Sequence, residues 1–167
     1  MFKKNKVNPM VWTWLGAGRI LIGLVFLWAF FDKLFGLGFS TAADKAWVNG
    51  GSPTTGFLSH VQGPLADFFQ AMAGNMAVDV LFMAGLLGIG AALTFGIVVR
   101  VGAMCGVALL GLMWLASFPL TTNPVIDEHI VYAAVLVAIA LAVPQQQLGL
   151  QKQWRAQEFV KKNPWLW

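Results

Sequence analysis

Apolar positions along the chain fall in long blocks separated by short polar punctuation. Between Val11 and Phe35 the only clearly polar residues are Thr13, Arg19, Asp32 and Lys33; between Val78 and Val99 they are Asp79 and Thr94. Val101 to Phe118 carries only Ser117, and Glu128 to Val143 opens with its polar residues and is then apolar throughout. A bilayer core of about 30 Å needs about 20 apolar residues as a helix, so these blocks predict four spans: roughly 11–35, 78–99, 101–118 and 128–143, the last of them short.

The intervals carry information too. Arg100 alone separates the second and third spans, which predicts a very tight turn. Residues 36–77 are punctuated by Gly, Ser, Thr and Pro, yet Leu65, Phe68, Phe69 and Met72 recur at helical spacing after Gly63-Pro64 and stop at Gly74. That segment predicts a short amphipathic helix lying flat on the membrane, within a partly ordered outer loop. Residues 145–167 mix Trp154, Phe159, Trp165 and Trp167 with basic residues, the composition of an interfacial helix. The expected fold is all-α: a single integral membrane domain, 1–167, built as a four-helix bundle with an ordered outer loop between spans one and two and an interfacial C-terminal helix.

Composition agrees. Of 167 residues 58% are hydrophobic and 11% charged, with a mean hydropathy of +0.70, whereas a soluble domain is about a quarter charged. The net charge of +4 gathers in Lys3, Lys4 and Lys6 and in Lys152, Arg155, Lys161 and Lys162. No basic face interleaved with aromatics points to nucleic acid, so anionic lipid is the expected partner. Four spans place both basic termini and Arg100 on one side, which the positive-inside rule makes the cytoplasm of a multi-pass cell-membrane protein. Asp32, Asp44, Asp67, Asp79, Asp127 and Glu128 then fall outside. The basic start before an apolar run resembles a signal peptide, but Arg19 interrupts the run and no Ala-x-Ala-like site follows, so a retained first span is expected.

Small residues at fourfold spacing suggest packing faces, as helices in lipid associate by close backbone approach. They are Gly88, Ala92 and Gly96 in span two, Gly102 and Gly106 in span three, and Ala134, Ala138 and Ala142 in span four. Cys105 is the only cysteine, which excludes an intramolecular disulfide and a thiolate metal cluster; a small buried packing residue is expected there.

Two groups could carry chemistry. Arg19, two turns into span one, costs several kcal/mol in hydrocarbon unless it snorkels or meets a backbone carbonyl, water, a lipid phosphate or a ligand such as a quinone carbonyl. At the outer mouth the threading collects Asp32 and Lys33, Asp79, Trp114, and Asp127, Glu128, His129 and Tyr132. An imidazole and a phenol on one helix face beside carboxylates suit proton-coupled binding of a quinone or small anion. Helix capping by Asp127 and Glu128, and pairing of Lys33 with an acid, account for the same residues structurally.

The stretch Arg19-Ile-Leu-Ile-Gly23-Leu-Val-Phe-Leu-Trp28-Ala-Phe-Phe-Asp32-Lys33-Leu-Phe-Gly36 resembles the first-span signature of DoxX/DoxD-like membrane proteins. The run from Asp79 to Gly88, Arg100, and Asn123-Pro-Val-Ile-Asp127-Glu-His129-Ile-Val-Tyr132 resemble members related to the DoxD subunit. The resemblance implies a four-helix membrane bundle and a small subunit of thiosulfate:quinone oxidoreductase, or of a thiol-oxidising complex, accompanied by a second subunit. It leads to an expected quinone or small-anion pocket in the outer half of the bundle, contacted by Arg19, Asp32, Lys33 and Trp114. Asp79, His129 and Tyr132 would exchange protons, with quinone as the possible cofactor and no metal or flavin motif. The alternative is a non-catalytic accessory subunit of a larger respiratory complex or a homo-oligomer. A transporter would need two copies to supply alternating halves.

Overall fold

The computed structural model describes residues 8–121, 123–146 and 148–167; Lys3, Lys4 and Lys6 lie outside the described residues. It is all-helical, and three helices are long and apolar enough to cross a membrane: α1 (Pro9–Phe35), α4 (Met76–Phe95) and α5 (Val99–Ala116). The segment between α1 and α4 holds α2 (Thr55–Leu58) and α3 (Ala66–Gln70). A fourth apolar helix, α6 (Glu128–Leu141), has 14 residues, about 21 Å of rise against the 30 Å of a hydrocarbon core. The short helices α7 (Gln151–Arg155) and α8 (Glu158–Lys162) complete the chain.

Local chemistry sets the ends of the long helices. Asn8 caps α1, its side chain accepting from the Met10 N–H at 3.0 Å with Pro9 in the first turn, and Asn75 caps α4 through Ala77 and Val78. Gly96 stops α4 with φ +77°, a left-handed conformation that costs a side chain dear. The turn between α4 and α5 is therefore Gly96–Val98, and Arg100 sits in the first turn of α5 rather than in the connection. Hydropathy carried the expected span on through Ile97, Val98 and Val99 because it does not register a backbone stop.

The helices pack antiparallel, α1 on α4, α4 on α5 and α5 on α6. Close approach does the packing, as expected for helices without a hydrophobic drive between them. A Cβ added at Gly23 would come within 2.5 Å of Thr94 Oγ1 and 2.7 Å of its backbone nitrogen, and one at Gly90 within 2.9 Å of the Leu27 nitrogen. Gly102 meets Ala92, and Gly106 meets Leu136 and Ile89. Gly88 instead faces open space, Gly96 is a cap, and Ala134 and Ala138 are exposed. The stripe in α4 therefore packs on α5 only at Ala92, while Ala134 and Ala138 mark an outward face of α6, which packs through Leu136 and Ile139. Cys105 is also exposed, on the outward side of α5. Leu21, Leu81, Met104 and Leu141, each more than 60% exposed, give these helices the apolar outer surface that lipid contact requires.

The loop after α1 and the tail do not lie loosely at the surface. Within the loop, α3 buries Phe69 against Leu58, Val61 and Ala116 and leaves Phe68 exposed. The tail, expected as one helix, is a series of short turns: Pro144 and Gly149 interrupt it before α7 and Pro164 after α8, with a further break at Ala156 and Gln157, and it folds back across the end of the bundle where α1 begins.

Candidate functional site

The polar residues separate into two groups at opposite ends of the bundle. From Arg19 to Asp32 the axis of α1 rises about 20 Å, and apolar side chains fill the interval, including Phe26, Phe30, Met83, Leu86, Leu136 and Ile139, all at most 9% exposed. Arg19 therefore shares no site with Lys33, Asp79 or His129.

At the basic end the Arg19 side chain is completely buried. Its Nη1 donates to the Leu93 carbonyl and its Nη2 to the Leu148 carbonyl at 2.6 Å. The last carbonyls of a helix lack intrahelical donors. In α4 three of them are met from different sources: Ala92 by the N–H groups of Gly96 and Ile97, Leu93 by Arg19, and Phe95 by the Leu150 N–H at 2.8 Å. A cation at a helix C-terminus is also favoured by the helix dipole. Close quarters explain two glycines: a Cβ at Gly96 would stand 3.0 Å from Arg19 Nη1, and one at Gly149 would stand 2.6 Å from the Phe95 carbonyl oxygen. Of the partners open to Arg19, the structure supplies backbone carbonyls.

The tail likewise meets the last turn of α6 and the turn that follows it. Gln146 Nε2 donates to the Ile139 carbonyl at 2.9 Å, Gln151 Nε2 to Val143 at 2.8 Å, and Arg155 Nη1 to Pro144 at 3.1 Å. Gln146 and Gln151 are both buried. Sequence reasoning passed over these glutamines; the polar run directly after the last apolar block was the available signal. Arg100 donates from its backbone to the Trp167 carbonyl at 2.6 Å and from Nη1 to Pro164 at 3.1 Å, and Arg155 lies 4.3 Å from the centre of the Trp167 ring.

At the acidic end the three carboxylates that are buried or half-buried, Asp32, Asp79 and Asp127, are engaged by the chain itself. Asp32, 1% exposed, accepts from the N–H groups of Phe39 and Ser40 and from Ser40 Oγ at 2.6 Å. Asp79, 5% exposed, accepts from Ser52 Oγ at 2.9 Å, the Thr54 N–H at 3.2 Å and Thr54 Oγ1 at 2.5 Å. These two carboxylates fasten the loop to the tops of α1 and α4. Hydrogen bonds to an ionised acceptor are the stronger kind, about 1.5–3 kcal/mol net each.

Asp127 caps α6: its Oδ1 accepts from the His129 and Ile130 N–H groups, and its Oδ2 lies 2.8 Å from His129 Nδ1. Burial pushes the Asp127 carboxyl up, but the hydrogen bonds from His129 and Ile130 and the charge of the imidazole outweigh it, holding the group below the usual carboxylate range. With Nδ1 turned to Asp127, His129 keeps Nε2 for another partner. Trp114 donates from its indole to the Val125 carbonyl at 2.9 Å, tying the chain ahead of α6 to α5.

Lys33 and Tyr132 differ from the rest. Among the described residues neither makes a hydrogen bond, and Lys33 has no carboxylate within ion-pair distance. Gly106 is flanked by both Phe26 and Leu136; counting outward from that level, Lys33 on α1 and His129 on α6 stand at the same height. Sequence reasoning thus placed Lys33, Asp79, Trp114, His129 and Tyr132 at one end of the bundle, as the structure does, and missed the serine and threonine partners that occupy the acids.

Two grooves open on the surface. One, about 370 Å³, lies between α4 and α5 and includes Gly85, Gly88, Ala92, Gly102 and Cys105 in its lining. The other, about 340 Å³, lies between α2 and the end of α5, beside His60 and Pro119. Neither contains a predicted site residue. No family profile, curated protein or solved structure matches the chain.

Proposed function

We propose that this chain is a DoxX/DoxD-like accessory subunit of a quinone-linked membrane complex, held in the bilayer by four spans with both termini in the cytoplasm, and that it stabilises a redox partner without itself carrying out chemistry. The observation that carries this reading is the fate of the buried ionisable groups. Both Nη atoms of Arg19 and the carboxylates of Asp32 and Asp79 are engaged by the chain's own carbonyls, N–H groups and hydroxyls, only the Arg19 Nε–H having no acceptor among the described residues, and apolar side chains fill the bundle between them. Buried charges engaged in this way fix a structure.

The groove between α4 and α5 is where a partner helix would pack, because its small side chains permit close approach. Gly88 faces open space, so Gly88→Leu fills the groove without disturbing the fold. Purified in mild detergent, the wild-type chain is expected to travel with a thiosulfate- or thiol-oxidising assembly and Gly88→Leu to travel alone. Stoichiometric quinone binding or quinone reduction by the isolated chain would refute the accessory role.

A second reading rests on Lys33, His129 and Tyr132. A half-buried lysine without an acid, level with an imidazole whose Nε2 is uncommitted, suits the carbonyl oxygen of a quinone or a small anion. In that reading Lys33→Met and His129→Phe each abolish quinone reduction in reconstituted membranes, whereas Arg19→Lys leaves it in place.

A further inference from the structure

The tail is a built surface rather than a trailing end. Val160 is fully buried within the tail, and Gln151, 2% exposed, ties α7 to the end of the last apolar block through the Val143 carbonyl. Trp154 Nε1 donates to the Leu166 carbonyl at 2.7 Å and Arg100 to Pro164, closing the tail on itself and on α5. Held in that way, it turns Lys152, Lys161 and Lys162 outward with Phe159 and Trp165, which are 52% and 59% exposed. Only one carboxylate, Glu158, lies among them; it pairs with Lys161 at 2.8 Å on the open surface. Trp14, 71% exposed, stands at the same end near the start of α1. The opposite end exposes the carboxylates Asp44, Asp67 and Glu128.

We propose that this face is a docking surface for the acidic phospholipids of the adjoining leaflet, the lysines binding headgroup phosphates while Phe159 and Trp165 sit among the upper acyl carbons. Three observations converge on a lipid surface as the occupant. The cations are fixed around exposed aromatic rings, the pairing found at membrane–water boundaries. The tail lies directly beyond the apolar outer surface of α1, α5 and α6, where headgroups begin. The sign of the charge is complementary to an acidic leaflet and opposite to that of the other end. Pre-organisation matters as well: the tail turns are too short to be stable alone, and their attachment through Gln151, the Leu150 amide and Arg100 removes the ordering cost a free basic segment would meet on the membrane.

The inference does not depend on the accessory or the quinone reading, and its test uses the isolated full chain. In mild detergent the chain is titrated with phosphatidylglycerol or with phosphatidylcholine, and bound lipid is counted by native mass spectrometry. The wild type is expected to retain phosphatidylglycerol over phosphatidylcholine, and Lys152→Gln/Lys161→Gln/Lys162→Gln to lose about a hundredfold of that preference, at about fivefold per lysine near an acidic surface. Lys45→Gln, at the opposite end and exposed, is expected to leave the preference unchanged. All four lysines are exposed, and matching thermal melts in detergent alone establish that the variants fold. Equal retention of the two lipids, a preference untouched by the triple variant, or displacement of phosphatidylglycerol by millimolar inorganic phosphate would each overturn the assignment.

Discussion

Replacing Arg19 by Met tests the central claim that a buried cation closes the basic end of the bundle. The substitution keeps an apolar stem of similar length and removes both donors. It strips the Leu93 and Leu148 carbonyls of the donors that Arg19 supplies, at about 1–3 kcal/mol for each unsatisfied acceptor. The loss of a charge from the C-terminal end of α4 adds about 0.5 kcal/mol or more. Against this, the arginine no longer bears its own burial cost, which offsets part of the sum. The net expectation is a destabilisation of about 3 kcal/mol, or about 6–12 °C in the melting temperature for a chain of this size. Arg19→Lys keeps the charge but not the fork that spans two carbonyls, and is expected to lose about half as much. Hydrogen exchange supplies a second readout: the Leu150 amide, bonded to the Phe95 carbonyl, should lose protection in Arg19→Met because Leu148 is no longer held. A melting temperature within about 2 °C of the wild type, with Leu150 still protected, would refute the clamp.

Gly23→Ala drives a methyl into Thr94 and is expected to cost about 2 kcal/mol or more by forcing α1 off α4, whereas Gly88→Ala, facing open space, should melt with the wild type in detergent. Asp79→Ala removes the acceptor shared by Ser52 and Thr54 and is expected to loosen the loop by about 2 kcal/mol, read as faster proteolytic cleavage between residues 50 and 62 with α4 intact. Asp127 has a carboxyl held below its ordinary value, so its contribution is complete above the unfolded carboxylate range near 3.9 and is lost only as pH falls through the lower folded value. The protection of the His129 and Ile130 amides relative to a chain-wide reference should therefore be level from pH 7 to 5 and fall below about pH 4; Asp127→Ala should lose about 1 kcal/mol of α6 at neutral pH.

The helical class and the approximate extent of α1, α4 and α5 were legible because apolar blocks of bilayer length have few other meanings, whereas α6 is apolar but, at 14 residues, shorter than a bilayer core. What hydropathy could not deliver was where a helix stops. Gly96 ends α4 inside an apolar run through its backbone conformation, and nothing in the neighbouring side chains signals it. Packing faces were legible only in part, for a four-residue spacing fixes a stripe without saying which way it points: Gly102 and Gly106 turn inward, Gly88, Ala134 and Ala138 outward, and the closest contact, Gly23 against α4, belonged to no stripe. The clustering of Lys33, Asp79, Trp114, His129 and Tyr132 followed from threading alone. The engagement of Arg19 did not, because its acceptors are backbone carbonyls, identical in every residue and therefore invisible as a motif.

The partners of Arg19 lie 74 and 129 positions further along the chain. The two acceptors therefore become available at different moments of synthesis, Leu93 with α4 and Leu148 only with the last twenty residues. One arm of the guanidinium has its acceptor once α1 and α4 are paired, and the other only once the tail is made. A chain truncated before Leu148 is therefore expected to keep Arg19 on Leu93 while losing its hold on the tail.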